Sequence, residues 1–257
     1  MLYAARLAAK GFVTLAIDQQ FWGESGGAPR HAITPDIYAE AFSAAVDFLG
    51  TRDFVDSDKI GILGICGSGS FVISAAKIDP RMKAVATVSV YNIGEMRRNG
   101  LNHSQSMEKR KQVFENAAAA RCENFLGKER PLTGGAPFSI TQDSPSPRKA
   151  SYDFYRGRGE FIPAGESPEI NTLSDKASNV AFMNFYPFND IETISPRPML
   201  FVMGEKAHSQ PFTTDAFAKA PQPKELLIIP FADHFDLYDK PEFIPIEQLS
   251  NFFNDNL

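Results

Sequence analysis

The sequence predicts an α/β protein built on a mostly parallel sheet flanked by helices, with a cap inserted into it, and three observations carry that prediction. Short, nearly unbroken apolar runs alternate with helical patterns, as expected of strands covered on both faces. One run ends in a glycine-rich corner, KIGILGICGSGS, that turns straight into a helical pattern. The alternation then breaks after residue 91 for about a hundred residues, far beyond an ordinary connection.

The predicted strands are GFVTLAID (11–18), KIGILG (59–64), KAVATVSV (83–90), PMLFVMG (198–204) and KELLIIP (224–230). Ahead of the first, MLYAARLAAK reads as a helix. Lys10 interrupts its apolar stretch and Asp18 closes the strand without a small-residue cleavage site, so it does not read as a signal peptide. Between the first two strands, TPDIYAEAFSAAVDFLG predicts a crossover helix. Thr34 is its N-cap candidate, Pro35 its first residue, Gly50 its stop, and Tyr38, Ala41, Ala45 and Phe48 its apolar face. A last helix near 244–254 turns Leu249, Phe252 and Phe253 inward.

Residues 1–92 and 195–257 are thus predicted to form the core, and 93–194 a cap or lid. Within the cap, HSQSMEKRKQVFENAAAARCENFLG predicts an amphipathic helix with Met107, Phe114, Ala118, Cys122 and Phe125 near one stripe. The Pro-, Gly- and Ser-rich stretch from Leu132 to Asn171 predicts surface loop. SDKASNVAFM predicts a short helix capped by Ser174.

Composition narrows the function classes. At 257 residues with 43% hydrophobic and 22% charged side chains, the chain can bury a full core. A net charge of −5 and the lack of a Lys/Arg block argue against a nucleic-acid partner. No apolar run is long enough to span a bilayer. Two cysteines, Cys66 and Cys122, make no disulfide framework, so a reducing cytoplasm is the default location.

The corner carries the chemistry. A strand ending in G-x-nucleophile-x-G and turning into a helix is a nucleophile elbow, where small residues allow strand and helix to approach around a strained nucleophile. The register here is Gly64-Ile65-Cys66-Gly67-Ser68-Gly69, with Cys66 as nucleophile and Ser68 where glycine is commonest. The following helix would direct its positive end at Cys66, lowering the thiol pKa. The Gly67 N–H would supply one oxyanion donor. A phosphate-binding loop fails on spacing, because Val72 stands where its third glycine belongs and no G-K-S/T follows. The competing structural reading is a buried cysteine at a tight turn.

A base is expected from the loop after the last strand. Of His31, His103, His208 and His234, only His234 lies there, in PFADHFDLYD. The chain order nucleophile, acid, base then calls for an acid after PMLFVMG. The usual G-x-x-D position is Ala207, which leaves Glu205 as the nearest carboxylate and Asp215 as the next; Asp233 and Asp236 flank the base and are expected to face solvent.

These segments resemble the α/β-hydrolase superfamily, in particular its dienelactone-hydrolase-like branch and bacterial hydrolases related to fungal polyketide thiohydrolases. The likeness rests on GFVTLAIDQQFWGESGGAPR, GICGSG, YDFYRGRGE, GEKAHS and ADHFDLYDKPE. It implies hydrolysis of a carboxylic ester, thioester or lactone. Cys66 attacks, His234 moves the proton, Glu205 orients His234, and water resolves the acyl-enzyme. The partner is a small-molecule acyl substrate, with neither metal nor organic cofactor; a homo-oligomer stays open. The alternative is a catalytically silent homologue that binds a ligand or acts as a scaffold. Asp18 and FWGESGG would border the mouth of the site, and Arg156 or Arg158 could hold a substrate carboxylate. The resemblance also implies further strands before the opening helix, one of them lying between the first two strands here and leading to a second oxyanion donor, often near an H-G-G or H-P-G-G segment that this sequence lacks. The expectation is therefore an N-terminally truncated or degenerate form. Either a gap beside residues 59–64 or a direct pairing with residues 11–18 would mark it.

Overall fold

A computed structural model describes residues 2–158 and 172–257. The end of YDFYRGRGE and the stretch up to Asn171 lie outside the described residues. The chain divides into two compact units: one of Met1–Ile17, Asp36–Asn92 and Tyr186–Leu257, the other of Asp18–Pro35 and Ile93–Phe185.

The first unit is a parallel four-stranded sheet in the order β1 (Ile60–Ile65), β2 (Met82–Val88), β5 (Met199–Gly204), β6 (Lys224–Ile229). Its strands read as unbroken apolar runs because both faces are covered. On one face Ala84, Ala86 and Val88 of β2 and Leu200 and Val202 of β5 pack with Tyr3 and Leu7 of α1 (Leu2–Ala8) and with Leu249, Phe252 and Phe253 of α9 (Ile246–Asn256). On the other, α3 (Gly67–Ala76) packs on β1 and β2, and Phe201 of β5 meets Phe217 of α7 (Gln210–Lys219) edge to face. The α9 stripe matches the expected last helix. Tyr3 adds a buried tie, its hydroxyl donating to the Leu237 carbonyl at 2.6 Å.

Two expectations about the chain before β1 are corrected. Residues 11–18 are not a strand. They run on from α1 without pairing, and Val13, Leu15 and Ile17 are exposed. Among the described residues β2 is the one neighbour of β1, so β1 is left as an open edge that residues 11–18 do not pair with. Helix α2 (Pro35–Gly50) forms as predicted, but Thr34 does not cap it; its Oγ1 is buried without a hydrogen-bond partner.

The second unit holds α4 (Ile93–Asn99), α5 (Met107–Phe125), α6 (Ser146–Asp153), which runs on as a π-helical turn through Arg158, and a two-stranded antiparallel pair of β3 (Leu132–Thr133) with β4 (Ser174–Asp175). Ser106 caps α5, accepting the Lys109 N–H at 3.2 Å. The expected apolar stripe of α5 is corrected: Met107, Phe114, Cys122 and Phe125 are exposed, and Ala117 and Ala120 are the buried residues. Ser174 also caps no helix. It belongs to β4, and its Oγ donates to Thr133 O. Only a 3-10 segment, Asn179–Asn184, forms where that helix was expected.

Candidate active site

The residues after β1, β2, β5 and β6 meet at the carboxyl end of the sheet, where open parallel sheets leave a crevice. The elbow after β1 is built as its spacing predicts. Cys66 has φ 55° and ψ −122°, a left-handed conformation costly for a side chain with a Cβ. The surrounding backbone holds it there: Cys66 N–H donates to Val88 O at 2.9 Å, and Cys66 O accepts from Gly69 N and Tyr91 N at 3.0 Å each. The glycines make room for this approach. A Cβ on Gly64 would lie 2.6 Å from Ser68 O, and one on Gly69 would lie 2.7 Å from Val90 Cγ2. The crowded contact thus falls on Gly69, which is why Ser68 is tolerated one place earlier.

His234 follows β6. A Cβ on Gly204, at the end of β5, would lie 2.8 Å from Asp233 O. Glycine there lets the 232–234 backbone close on β5, and Lys206 N–H fastens it by donating to Ala232 O at 2.8 Å. The imidazole is 1% exposed among aromatic rings, with Tyr91, His208, Phe235 and Tyr238 at centroid distances of 5.5, 4.7, 4.9 and 5.2 Å.

Both ring nitrogens are engaged, neither by a carboxylate. Nδ1 is 2.7 Å from Ser209 Oγ and Nε2 is 2.8 Å from Tyr238 Oη. Tyr238 is also hydrogen-bonded to the Cys66 side chain. The four residues therefore form a chain, Cys66–Tyr238–His234–Ser209, with the tyrosine hydroxyl between thiol and imidazole. Cys66 and His234 are brought together through this hydroxyl, not by a direct bond.

The carboxylates considered as orienting acids are engaged elsewhere. Glu205 is exposed, and its Oε2 accepts the Phe231 N–H at 2.8 Å, so the structure does not bring it to His234. Asp215 pairs with Lys219 at 2.8 Å along α7. Asp233 Oδ1 accepts the Phe235 and Asp236 amides at 2.8 and 3.0 Å, opening the short helix α8 (Asp236–Asp239). Asp236 is buried, contrary to the solvent-facing expectation, and pairs with Lys240 at 2.5 Å. Ser209 and Tyr238 were not among the expected residues, because the pattern nucleophile, acid, base calls for a carboxylate and these are hydroxyls. The available signals were a hydroxyl in the loop after β5 and a tyrosine four residues beyond His234, on the same side of a helical turn.

Without a negative partner, burial decides the electrostatics. It drives the His234 pKa down to about 3, with His208 adding a smaller push the same way, so the imidazole is neutral at pH 7. Burial also pushes the Cys66 thiol up, against the lowering effect of the Tyr238 and Gly67 hydrogen bonds. This corrects the expected thiolate: desolvation outweighs the helix N-terminus. The resting pair is a thiol and a neutral imidazole. The Gly67 N–H points at the cysteine sulfur, on the nucleophile's side of the helix terminus.

The other expected residues have local structural roles. In the second unit the Asp18 carboxylate accepts the Glu24 N–H at 3.0 Å and holds the FWGESGG turn. Arg156 donates to Ala136 O and Pro137 O at 3.2 and 3.4 Å, and Arg158 lies over the Phe154 ring. Among the described residues no cluster of His, Cys, Asp and Glu could hold a metal ion, and no helix is long and apolar enough to cross a membrane.

No family model matches the sequence. The chain is 38% identical over 265 residues to protein PA2218 of Pseudomonas aeruginosa, which spans all of this chain and 68% of that protein. The crystal structure of PA2218 superposes with a TM-score of 0.90 at 37% identity, over 100% of this chain and 79% of that one. Protein YcjY of Escherichia coli K12 is 31% identical over 258 residues, covering 99% of this chain and 83% of YcjY. Thiohydrolase apmlB of Arthrinium phaeospermum is 30% identical over 155 residues, 59% of this chain and 45% of apmlB. The α/β hydrolase GrgF of a Penicillium species shares the fold with a TM-score of 0.71 at 22% identity, over 93% of this chain and 78% of that one.

Proposed function

We propose that this chain, which belongs to the family of PA2218 and YcjY and has the α/β-hydrolase fold, is a hydrolase of activated acyl groups acting through Cys66. The observation that carries the proposal is the strained cysteine at the elbow, linked through Tyr238 to His234. A structural cysteine would gain nothing from a left-handed backbone or from a hydroxyl leading to a buried imidazole.

The hydrogen bonds define the proton's route. The thiol gives its proton to the Tyr238 oxygen as Tyr238 passes its own to His234 Nε2, while Nδ1–H donates to Ser209 Oγ. The sulfur electron pair forms the C–S bond, and the carbonyl π pair moves to oxygen, which accepts from the Gly67 N–H. Collapse of this intermediate expels the leaving group, which recovers the proton from His234 by the reverse route. Water then attacks the thioester of Cys66, giving up a proton along the same path, and releases the acid.

The electrostatics point to the class of leaving group. An imidazole with no carboxylate partner accepts a proton at a cost, so the protonated form that would assist departure is scarce and leaving groups that need little protonation are favoured. A thiolate is one, and an enolate or phenolate comes next. An alkoxide is a far worse leaving group than the attacking thiolate, so the intermediate would revert. Thioesters and activated esters or lactones fit; simple alkyl esters do not. The thiohydrolase relative supports the thioester end of this range. Matched octanoyl substrates test it: kcat/KM for the thioester should exceed that for the ethyl ester by roughly a hundredfold. Cys66→Ala should abolish both activities, and Cys66→Ser should leave a trace. Undiminished hydrolysis by Cys66→Ala would overturn the assignment. A second reading, a silent ligand-binding homologue, is favoured by the His234 ring nitrogens being bonded to two hydroxyls and, among the described residues, to no carboxylate; it predicts no turnover of either substrate.

A further inference from the structure

The second unit contains a cavity of about 650 Å³, the size of a small-molecule site, formed between α4, the start of α5 and the 3-10 segment at Asn179–Asn184. Its charge is one-sided. Among the described residues Arg97, Lys109 and Lys176 line it, and no aspartate or glutamate does. Neither lysine ammonium is in an ion pair or hydrogen bond, although acidic side chains are the more numerous in the whole chain, 31 against 26 Lys and Arg. The two unpaired lysine charges, Lys109 and Lys176, give the cavity a positive potential that attracts an anion.

A second observation is independent of those charges. Asn179 lines the cavity and is 92% buried by its 8% residual exposure. Its side-chain amide lies 3.4 Å from Ser174 Oγ, whose proton goes to Thr133 O at 3.1 Å. Its amide gives the wall of the cavity a polar group able to donate to an acceptor. The N-terminus of the 19-residue α5 opens on the same cavity through Ser106 and Lys109, adding positive potential. Glu108, the carboxylate at that helix end, bonds to Ser106 and its own backbone amide and does not line the cavity.

The wall is preformed. Gln105 Nε2 donates to Arg97 O and Arg98 O at 2.8 and 3.0 Å, and Gln105 N–H donates to Asn99 O at 2.7 Å, tying the turn before α5 to the end of α4. Val113 and Met183 supply apolar wall. From these features we propose that the cavity is a binding site for a small amphipathic anion: a carboxylate or phosphate head held by Lys109, Lys176, Arg97 and the Asn179 amide, with its apolar body against Val113 and Met183. The site needs no chemistry at Cys66.

Isothermal titration of the full chain tests this with octanoate and octyl phosphate, each below its micelle concentration, against neutral octanol. Both anions should bind at least about tenfold tighter than octanol. The tighter of the two identifies the head group. Lys109→Gln and Lys176→Gln should each weaken anion binding about five- to tenfold and together more than either alone, leaving octanol unaffected. Val113→Trp should block all three. Thermal melts of the variants establish that they are folded. Octanoate could also occupy the Cys66 site as a product, but that binding would be indifferent to Lys109 and Lys176. Equal affinity for octanol and the anions, parental affinity in the Lys109→Gln/Lys176→Gln double variant, or no binding at millimolar concentration would overturn the proposal.

Discussion

Tyr238 is the residue on which the chemistry turns, because it alone joins the thiol to the imidazole. Tyr238→Phe keeps the ring and removes the bridge, so kcat/KM should fall about 10²-fold, the range of a lost acid–base step. Ser209→Ala should cost less, since it removes only the hydroxyl that orients Nδ1. The thiol itself offers a readout without turnover. In a Cys122→Ser background, which removes the exposed competing cysteine, the rate of iodoacetamide alkylation should climb with pH through and beyond 9.0, the ordinary cysteine value from which burial raises Cys66. Tyr238→Phe, lacking the hydroxyl that favours the thiolate, should shift the profile higher still. A plateau reached near pH 6 would mean a preformed thiolate and contradict the assigned charge state. At this scale the placing of Cys66 and Gly67 at the elbow and of His234 after the last strand was legible, because elbow spacing and loop order are local features of the sequence. Ser209 was not, because a hydroxyl on a histidine nitrogen leaves no acidic signal to search for.

At the scale of elements, the elbow depends on how closely β1 and α3 approach. Gly64→Ala would put its Cβ 2.6 Å from Ser68 O, a backbone atom that cannot step aside. A loss of about 1–3 kcal/mol in urea unfolding is expected, as for other overpacked sites. Gly26→Ala, with nothing within 4 Å, should stay within about 0.5 kcal/mol as a surface change. The open side of β1 makes a separate prediction. Residues of a parallel strand alternate in which neighbour they bond, and β1 has a neighbour on one side. Alternate β1 amides should therefore exchange with deuterium much faster than those of β2, which is paired on both sides. Uniform protection along β1 would mean that its edge is covered in solution. Strands β1, β2, β5 and β6 were readable as apolar runs. GFVTLAID has the same pattern and is not a strand here, because a strand requires a partner and the pattern records only the side chains.

Across the whole molecule, buried neutral histidines link stability to pH. His234 titrates near 3 when folded, and burial lowers His208 as well. The unfolded chain, with ordinary values near 6.5, binds more protons below that pH, so stability is complete above pH 6.5 and falls on acidification toward 3. Asp79, held below 3.8 by Arg81, and Glu108, held below 4.5 by its backbone and Ser106 hydrogen bonds, add their own losses at the acid end, so melts between pH 5.5 and 7 report the histidines. The melting temperature should drop across that interval, and His234→Gln should flatten the slope; an unchanged slope would mean that His234 is not the buried neutral base. The two-unit organisation was legible only in outline. The long interruption after residue 91 is visible in the sequence, but the grouping of Asp18–Pro35 with Ile93–Phe185 rests on contacts far apart in the chain. One such contact is the Ile33 N–H donating to Ser178 Oγ at 2.8 Å. The most direct test of the account is the mass of the intact protein, quenched during reaction with an octanoyl thioester. In the parental protein one octanoyl group should be found during turnover and map to the peptide containing Cys66, and Cys66→Ala should carry none. An octanoyl group on any other residue, or turnover by Cys66→Ala at the parental rate, would contradict it.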